Sequence, residues 1–247
     1  MTFDSLAKSY DMTFGLSPVG RAFRFRVSER LTSMCPAPAH VIDIGCGTGE
    51  DALWLASQGY AVDAFDASSS MIDVARDKAA RFRSTASFEA VSIQSLPERG
   101  QTYDVLISNF GALNCVALAE WTSVVSGLLK PSGRAFISLM GRKPFPEGAR
   151  RGFGSAHREA RACVPIGGTP VSVEYPSVSD VEQALSGRAT VERVEALGCL
   201  VPGPGYSGFA RRHPLLLEAL AMGEAVVRTL PFFRHRGDHT LIELKSA

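Results

Sequence analysis

The run Val41-Ile42-Asp43-Ile44-Gly45-Cys46-Gly47-Thr48-Gly49-Glu50-Asp51 limits what this chain can fold into more than any other stretch. An apolar segment meets glycines at every second position, and a helical pattern begins at Asp51. This reads as a buried strand, a tight turn and a helix start. Glycine permits positive φ in the turn and leaves no Cβ between backbone N–H groups and a ligand. A helix N-terminus behind such a turn is a natural ligand site.

The ligand is constrained by the spacing. A dinucleotide site uses G-x-G-x-x-G, with the pyrophosphate on the helix N-terminus. Here Gly45, Gly47 and Gly49 are evenly spaced and Glu50 and Asp51 follow at once. Two carboxylates in the first turn suit the helix dipole and repel a pyrophosphate. A nucleoside with a positively charged, unphosphorylated tail fits better, and S-adenosylmethionine (SAM) is such a molecule. The next predicted strand, 60–66, ends in Asp66. An acid about 20 residues beyond the first glycine accepts hydrogen bonds from ribose hydroxyls in doubly wound folds.

Asp-Ile-Gly-Cys-Gly-Thr-Gly followed by Phe-Asp-Ala-Ser-Ser-Ser-Met-Ile resembles the first two motifs of class I SAM-dependent methyltransferases. The resemblance covers roughly residues 40–140. It implies an α/β, Rossmann-like doubly wound sheet of seven strands, mostly parallel with strand seven antiparallel, and helices on both faces. It also implies SAM as cofactor, S-adenosylhomocysteine (SAH) as product, and donor contacts from Gly45, Cys46, Gly47, Gly49, Asp66, Ala67 and Met71. In Val91-Ser92-Ile93-Gln94-Ser95-Leu96-Pro97, Ser92 stands where the family usually carries an acid for the adenine amino group. A hydroxyl accepts such a bond, and Gln94 is the other candidate; Ile93 would pack on the adenine face. At the end of strand four, Asn109 and Phe110 are expected in the donor pocket, with a turn-capping role as the alternative for Asn109. Asn114 is an acceptor-site candidate. In similar enzymes an N-terminal Tyr-Asp segment closes over the donor, so Tyr10 is expected either to contact it or to pack the lid.

The residue pattern supports the same architecture independently. Strands at 40–45, 60–66, 87–93, 103–109 and 134–139 alternate with helical segments, which implies βαβ units and a parallel sheet. Gly45–Gly49, Asp66, Ser92/Ile93 and Asn109 fall at strand carboxyl ends, where ligands bind in such sheets. Val19, Phe23, Val27 and Leu31 mark one face of a helix over 18–34, and Arg21, Arg24, Arg26 and Arg30 are expected mostly on its solvated side. Val171–Tyr175 reads as an added strand, and Ser179 with Glu182 as a capping box. A helix broken at Pro214 fills 207–230, and 237–244 is the last strand. We expect one domain over 1–247: an N-terminal helical lid (1–39), a SAM-binding core (40–140), a substrate-cover insertion (141–180) and the C-terminal part of the sheet (181–247).

Composition narrows the setting. The 247 residues are 45% hydrophobic and 21% charged, with a net charge of +1. That lacks the basic excess of a nucleic-acid binder. No run reaches the length of a membrane span, and the N-terminus lacks signal-peptide character. The five cysteines (Cys35, Cys46, Cys115, Cys163, Cys199) are scattered, which argues against a zinc site or disulfide framework and points to a cytoplasmic protein. Expected partners are a small-molecule acceptor, with no nucleic acid and no membrane, in a monomer or homodimer; no metal site is expected. Methyl transfer from a sulfonium needs alignment and exclusion of water more than a nucleophile on the enzyme. A general base helps when the acceptor is a hydroxyl. His157, in the cover segment, is the weak candidate; His40 and His239 read as structural, His239 because it lies in strand seven away from the switch in strand order. The reading is a methyltransferase acting on O or N of a small molecule. The alternatives are a SAM-binding protein without catalysis and, less favoured, an NAD(P)-dependent oxidoreductase.

Overall fold

The computed structural model describes residues 3–142, 144–145 and 158–247. Seven strands form one sheet: β1 (His40–Ile44), β2 (Ala61–Asp66), β3 (Ser87–Ala90), β4 (Tyr103–Ser108), β5 (Leu129–Met140), β8 (Ala189–Leu197) and β9 (His239–Ser246). Their order is β3-β2-β1-β4-β5-β9-β8. β1 to β5 pair in parallel, and β9 runs antiparallel between β5 and β8. The order reverses beside β1, between β2 and β4, so the crevice opens above Ile44, Asp66 and Ser108.

Apolar stripes on the helices explain the two layers. Val19, Phe23, Val27 and Leu31 of α2 (Pro18–Met34) join Leu55 of α3 (Glu50–Ser57) and Ile72 of α4 (Ser69–Phe82) in one buried cluster. Trp121, Val125 and Leu128 of α5 (Leu118–Leu128) join Val181 of α6 (Val178–Ala184) on the opposite face. A short α1 (Ala7–Tyr10) leads the chain, and α7 (Ser207–Arg212) and α8 (Pro214–Val227) sit between β8 and β9. The N-caps are local: Ser17 Oγ accepts from Gly20 N–H and Ser68 Oγ from Met71 N–H.

Four local expectations change. β3 stops at Ala90, because 93–95 tighten into a 3₁₀ turn. β5 begins at Leu129, not at the expected 134, and draws Pro131–Gly133 into the strand. The capping box is Ser177 with Asp180, two residues before the sequence reading, since Ser177 Oγ accepts Asp180 N–H while Asp180 accepts Ser177 N–H. The added strand is half of a hairpin, β6 (Arg161–Ile166) with β7 (Thr169–Glu174). The arginines of α2 also depart from a solvated face. Arg24 pairs with Asp51, and Arg30 lies within reach of Glu195 and Glu243, both almost wholly buried; only Arg21 is fully exposed.

One buried acid organises the turn after β8. Glu224 of α8 is 3% exposed and accepts N–H bonds from Gly198 (2.9 Å), Leu200 (2.8 Å) and Val201 (3.0 Å). Glu224→Ala is expected to orphan all three donors and destabilise the fold by about 3 kcal/mol or more. Urea denaturation of the variant checks this; a midpoint equal to wild type would refute the anchoring role.

Candidate functional site

The carboxyl ends of β1, β2 and β4 open into a cavity of about 440 Å³. Tyr10, Gly45, Gly47, Asp66, Ala67, Met71, Ser92, Ile93, Asn109 and Phe110 all line it. Cys46 and Gly49, expected with them, lie off its wall. Cys46 packs against the core, and burial pushes its thiol well above the ordinary range. Gly49 caps α3 at φ +80°, and a Cβ there would stand 2.6 Å from the Phe88 ring, so it serves packing. Gly47 differs: at φ +54° nothing lies within 4 Å of where its Cβ would be. The open side of Gly47 is the cradle a ligand would fill.

The turn and β2 are tied together. Gly45 and Cys46 donate N–H bonds to Phe65 O at 2.7 and 3.0 Å. Gly47 donates to Asp66 Oδ2 (2.9 Å) and Ser68 to Asp66 Oδ1 (2.8 Å). Burial raises the Asp66 pKa, opposed by these two donors. The carboxylate is therefore fixed at the cavity wall with acceptor capacity left over.

The N-terminal segment covers this end. Phe3 and Tyr10 reach the cavity, and polar clasps hold the segment down: Ser68 Oγ to Asp4, Thr48 Oγ1 to Asp11 (2.6 Å), and Lys78 to both Asp11 (2.9 Å) and Glu50. Burial raises the Tyr10 phenol.

A relay behind the wall was missed by the sequence reading. Arg24 donates to Asp51 Oδ1, its guanidinium stacked 4.9 Å from the Phe110 ring centroid and 5.6 Å from Phe14. Asn109 Nδ2 donates to Asp51 Oδ2 at 2.9 Å. An ionised carboxylate only accepts, so it fixes which way the amide faces. Asn109 Oδ1, buried, then has no partner within the described protein. The side chain is thus engaged with α3 and not with capping a turn. Phe110 holds φ +57°, a strained conformation for a bulky residue. Asn114 uses both amide ends structurally, to Glu174 O (2.6 Å) and from Met140 N–H (2.8 Å), so it is not available to an acceptor.

Beneath the turn lies Asp43, 2% exposed, with Oδ2 unpartnered. Burial, then Asp51, raises its pKa well above the ordinary 3.8. A folded-state pKa above the unfolded one means stability falls as pH rises from about 4 toward the folded value. Asp43→Asn is therefore expected to match wild type near pH 4 and to exceed its Tm increasingly toward pH 8. A thermal-melt series over pH reads this; a wild-type advantage at pH 8 would show that the ionised form is stabilised.

The histidines are reassigned in part. His239 pairs in register with Met140, a cavity-lining residue, and its ring lies 5.9 Å from Phe110. It therefore sits at the carboxyl edge, correcting the expectation that the last strand holds it away from the switch point. It stands behind the wall, its Nδ1 3.1 Å from Asp238. His40 pairs with Asp63 (2.9 Å) at the opposite end of the sheet. His157 lies outside the described residues. Among these residues, no cluster of His, Cys, Asp and Glu could hold a metal ion.

The wall beyond the turn is apolar: Phe65, Val91 and Leu96 on one side, and Leu113, Val116, Met140 and Ile166 on the other. Ile166 comes from the hairpin, which closes that side. No Lys, Arg or His appears among the described lining residues. The site thus suits a neutral or cationic ligand with flat apolar surface and disfavours phosphate.

Comparison with known proteins follows this geometry. A methyltransferase-domain family model matches residues 41–133. Over that stretch the chain is similar to a methyltransferase domain. A demethylmenaquinone methyltransferase of Clavibacter sepedonicus is 30% identical over 151 residues, 61% of each chain. The chain thus spans about three fifths of the length of such curated relatives. Among solved structures, an S-adenosylmethionine dependent methyltransferase from Mesorhizobium loti has TM-score 0.55 at 20% identity, covering 88% of this chain and 96% of that one. A Burkholderia thailandensis 1,6-didemethyltoxoflavin-N1-methyltransferase has TM-score 0.56 at 17% identity, covering 91% and 77%. At these identities the class I likeness of the structures is one of fold. The residues fit the cofactor of this family. The open Gly47 cradle, the tethered Asp66 and the orphaned Asn109 oxygen suit a nucleoside with a cationic tail. Among the described residues, no helix is long and apolar enough to cross a membrane.

Proposed function

We propose that the chain transfers a methyl group from SAM to an O or N atom of a small acceptor with an apolar body. The carrying observation is the shared cavity wall of Gly47, Asp66 and Asn109. SAM bound here supplies an electrophilic methyl group on a sulfonium that leaves as a neutral thioether. Asp66 accepts from the ribose hydroxyls. Ser92 or Gln94 accepts from the adenine amino group, with Ile93 on its face. Asn109 Oδ1 accepts from the ammonium of the methionine tail. Tyr10 and Phe3 exclude water from above. Leu113, Val116, Met140 and Ile166 hold the apolar body of the acceptor in line with the methyl group. With no histidine or lysine among the described lining residues, the acceptor carries its own reactive lone pair or ionises readily. The clasped lid and hairpin then do most of the catalytic work by alignment.

Calorimetric titration with SAM, SAH and NADH tests the donor. Binding of the two sulfur nucleosides without NADH supports the reading. NADH binding alone would favour an oxidoreductase, and SAH binding without turnover across an acceptor screen would favour a non-catalytic SAM binder. The glycines give a second test. Gly47→Ala adds a methyl group on the open side at a strain of about 1 kcal/mol and is expected to weaken SAH binding about tenfold or more. Gly49→Ala drives a methyl group into Phe88 and is expected to lower Tm with a smaller effect on affinity. Paired calorimetry and melting curves separate the two; the reverse pattern would move the ligand off the turn.

A further inference from the structure

Helix α8 is apolar nearly all round. Its buried side faces the protein through Leu217 and Glu224. Opposite, Leu215, Ala219, Met222 and Val226 follow i, i+4, i+7, i+11 spacing and share one outward stripe. Leu215 is 79%, Met222 73% and Val226 72% exposed. A water-facing helix carries polar residues at such positions, and Glu218 is the only exposed acid on α8. The stripe spans about 16 Å at 1.5 Å per residue. It is not isolated: seven of the eleven exposed large apolar side chains among the described residues fall between Phe209 and Phe232. Contiguous exposed apolar surface of this kind marks an interaction site.

The surrounding charge selects the partner. Arg211 and Arg212, both exposed, precede the stripe, and Arg234 follows it. Arg236 lies over the Phe232 ring at 3.8 Å, a cation beside an exposed apolar ring. The other acid of α8, Glu224, is buried and saturated by backbone N–H groups. The chain as a whole is nearly neutral at +1, so no general basic excess accounts for these arginines. A second copy docked by two-fold symmetry would set the same cationic patch against itself. A surface of hydrocarbon topped with negative headgroups satisfies both features at once.

We propose that α8, with the arginines at its ends, docks the protein on anionic lipid bilayers. The helix lies in the interface plane with Leu215, Met222 and Val226 among the acyl chains and Arg211 and Arg212 among the headgroups. This is surface binding, distinct from a membrane-spanning helix, of which there is none among the described residues. It does not depend on the donor or the acceptor. The surface extends onto α2, where Arg26 donates to Ala221 O of α8 and the adjacent Phe25 is 66% exposed.

Vesicle flotation of the full chain tests this, with phosphatidylcholine alone and phosphatidylcholine doped with phosphatidylglycerol. Wild type is expected to float with the anionic vesicles, more weakly with the neutral ones, and to detach in high salt. Met222→Glu combined with Val226→Glu, and separately Arg211→Glu with Arg212→Glu, are each expected to reduce partitioning about tenfold or more, given about 1 kcal/mol per basic residue at an anionic surface. All four positions are exposed, and circular dichroism checks that each variant is folded. Failure of wild type to float with either vesicle overturns the proposal. So does flotation that both variants leave unchanged. A dimer in light scattering that the Met222 and Val226 variant dissociates, with vesicles ignored, assigns the stripe to a second copy and also overturns it.

Discussion

Asp66→Ala is expected to weaken SAH binding about a hundredfold or more, from lost hydrogen bonds to a charged acceptor worth about 1.5–3 kcal/mol each. The site explains why the loss is large. The carboxylate faces the cavity while holding Gly47 N–H and Ser68 N–H. On the proposed reading, removing it takes away the ribose acceptor and loosens the turn that would cradle the rest of the ligand. Asp66→Asn separates these effects. Its amide oxygen still accepts one backbone bond, but its NH₂ group faces the other N–H donor, so affinity is expected to fall between the two. Calorimetry on variants whose melting curves show a folded protein reads the result. An Asp66→Ala affinity within twofold of wild type would remove Asp66 from the donor site.

How far the sequence reached depended on the range of the interaction. Asp66, Gly47 and Tyr10 were legible because each belongs to a local pattern: an acid ending a strand, a glycine with no Cβ, an aromatic in a segment preceding the core. The βαβ alternation likewise follows from short-range periodicity, and it put the crevice where the sheet order reverses. Cys46 and Gly49 sit in the same run but point elsewhere. Alternation through a turn does not reveal which glycines face the cavity and which face Phe88. Arg24 and Asp51 were illegible for a different reason. Arg24 read as a charge on a solvated helix face and Asp51 as a first-turn carboxylate suited to the helix dipole, and only the packing of α2 across α3 brings them into contact. His239 was misjudged because the antiparallel direction of β9 brings the start of that strand, not its end, beside Met140. The hairpin's first strand was missed because Pro165 lies inside Arg161–Ile166, which argues against a strand, with basic and breaker residues around it. The exposed stripe of α8 could be seen in the sequence only as helical periodicity. Which of its faces lacks a partner is a tertiary fact.

The relay through Asp51 is expected to act on one part of the ligand only. Arg24 holds Asp51, Asp51 holds the amide of Asn109, and Asn109 Oδ1 is left buried and unpaired in a residue that lines the cavity. In Asp51→Asn the fixed acceptor becomes an amide that can donate or accept, so Asn109 is no longer forced to present its oxygen. If that oxygen receives the ammonium of the methionine tail, SAH affinity falls about tenfold to a hundredfold, the range for a hydrogen bond to a charged group. The SAH analogue lacking the amino group, and 5′-methylthioadenosine, which lacks the whole amino-acid tail, then bind wild type and variant equally. Asn109→Ala gives the same ligand dependence. The double variant is expected to be no weaker than Asn109→Ala alone, since Asp51 acts through Asn109 and their effects do not add. A general loss of fold would instead weaken all three nucleosides together. Leaving Arg24 without its partner does cost stability, about 3–5 kcal/mol where a buried ion pair is broken; Arg24→Met with Asp51→Asn removes both charges and keeps the ligand comparison readable. Equal losses for SAH and its des-amino analogue would show that the amide oxygen does not meet the ammonium. The relay would then be a clasp between α2 and α3 with no say in what the cavity binds.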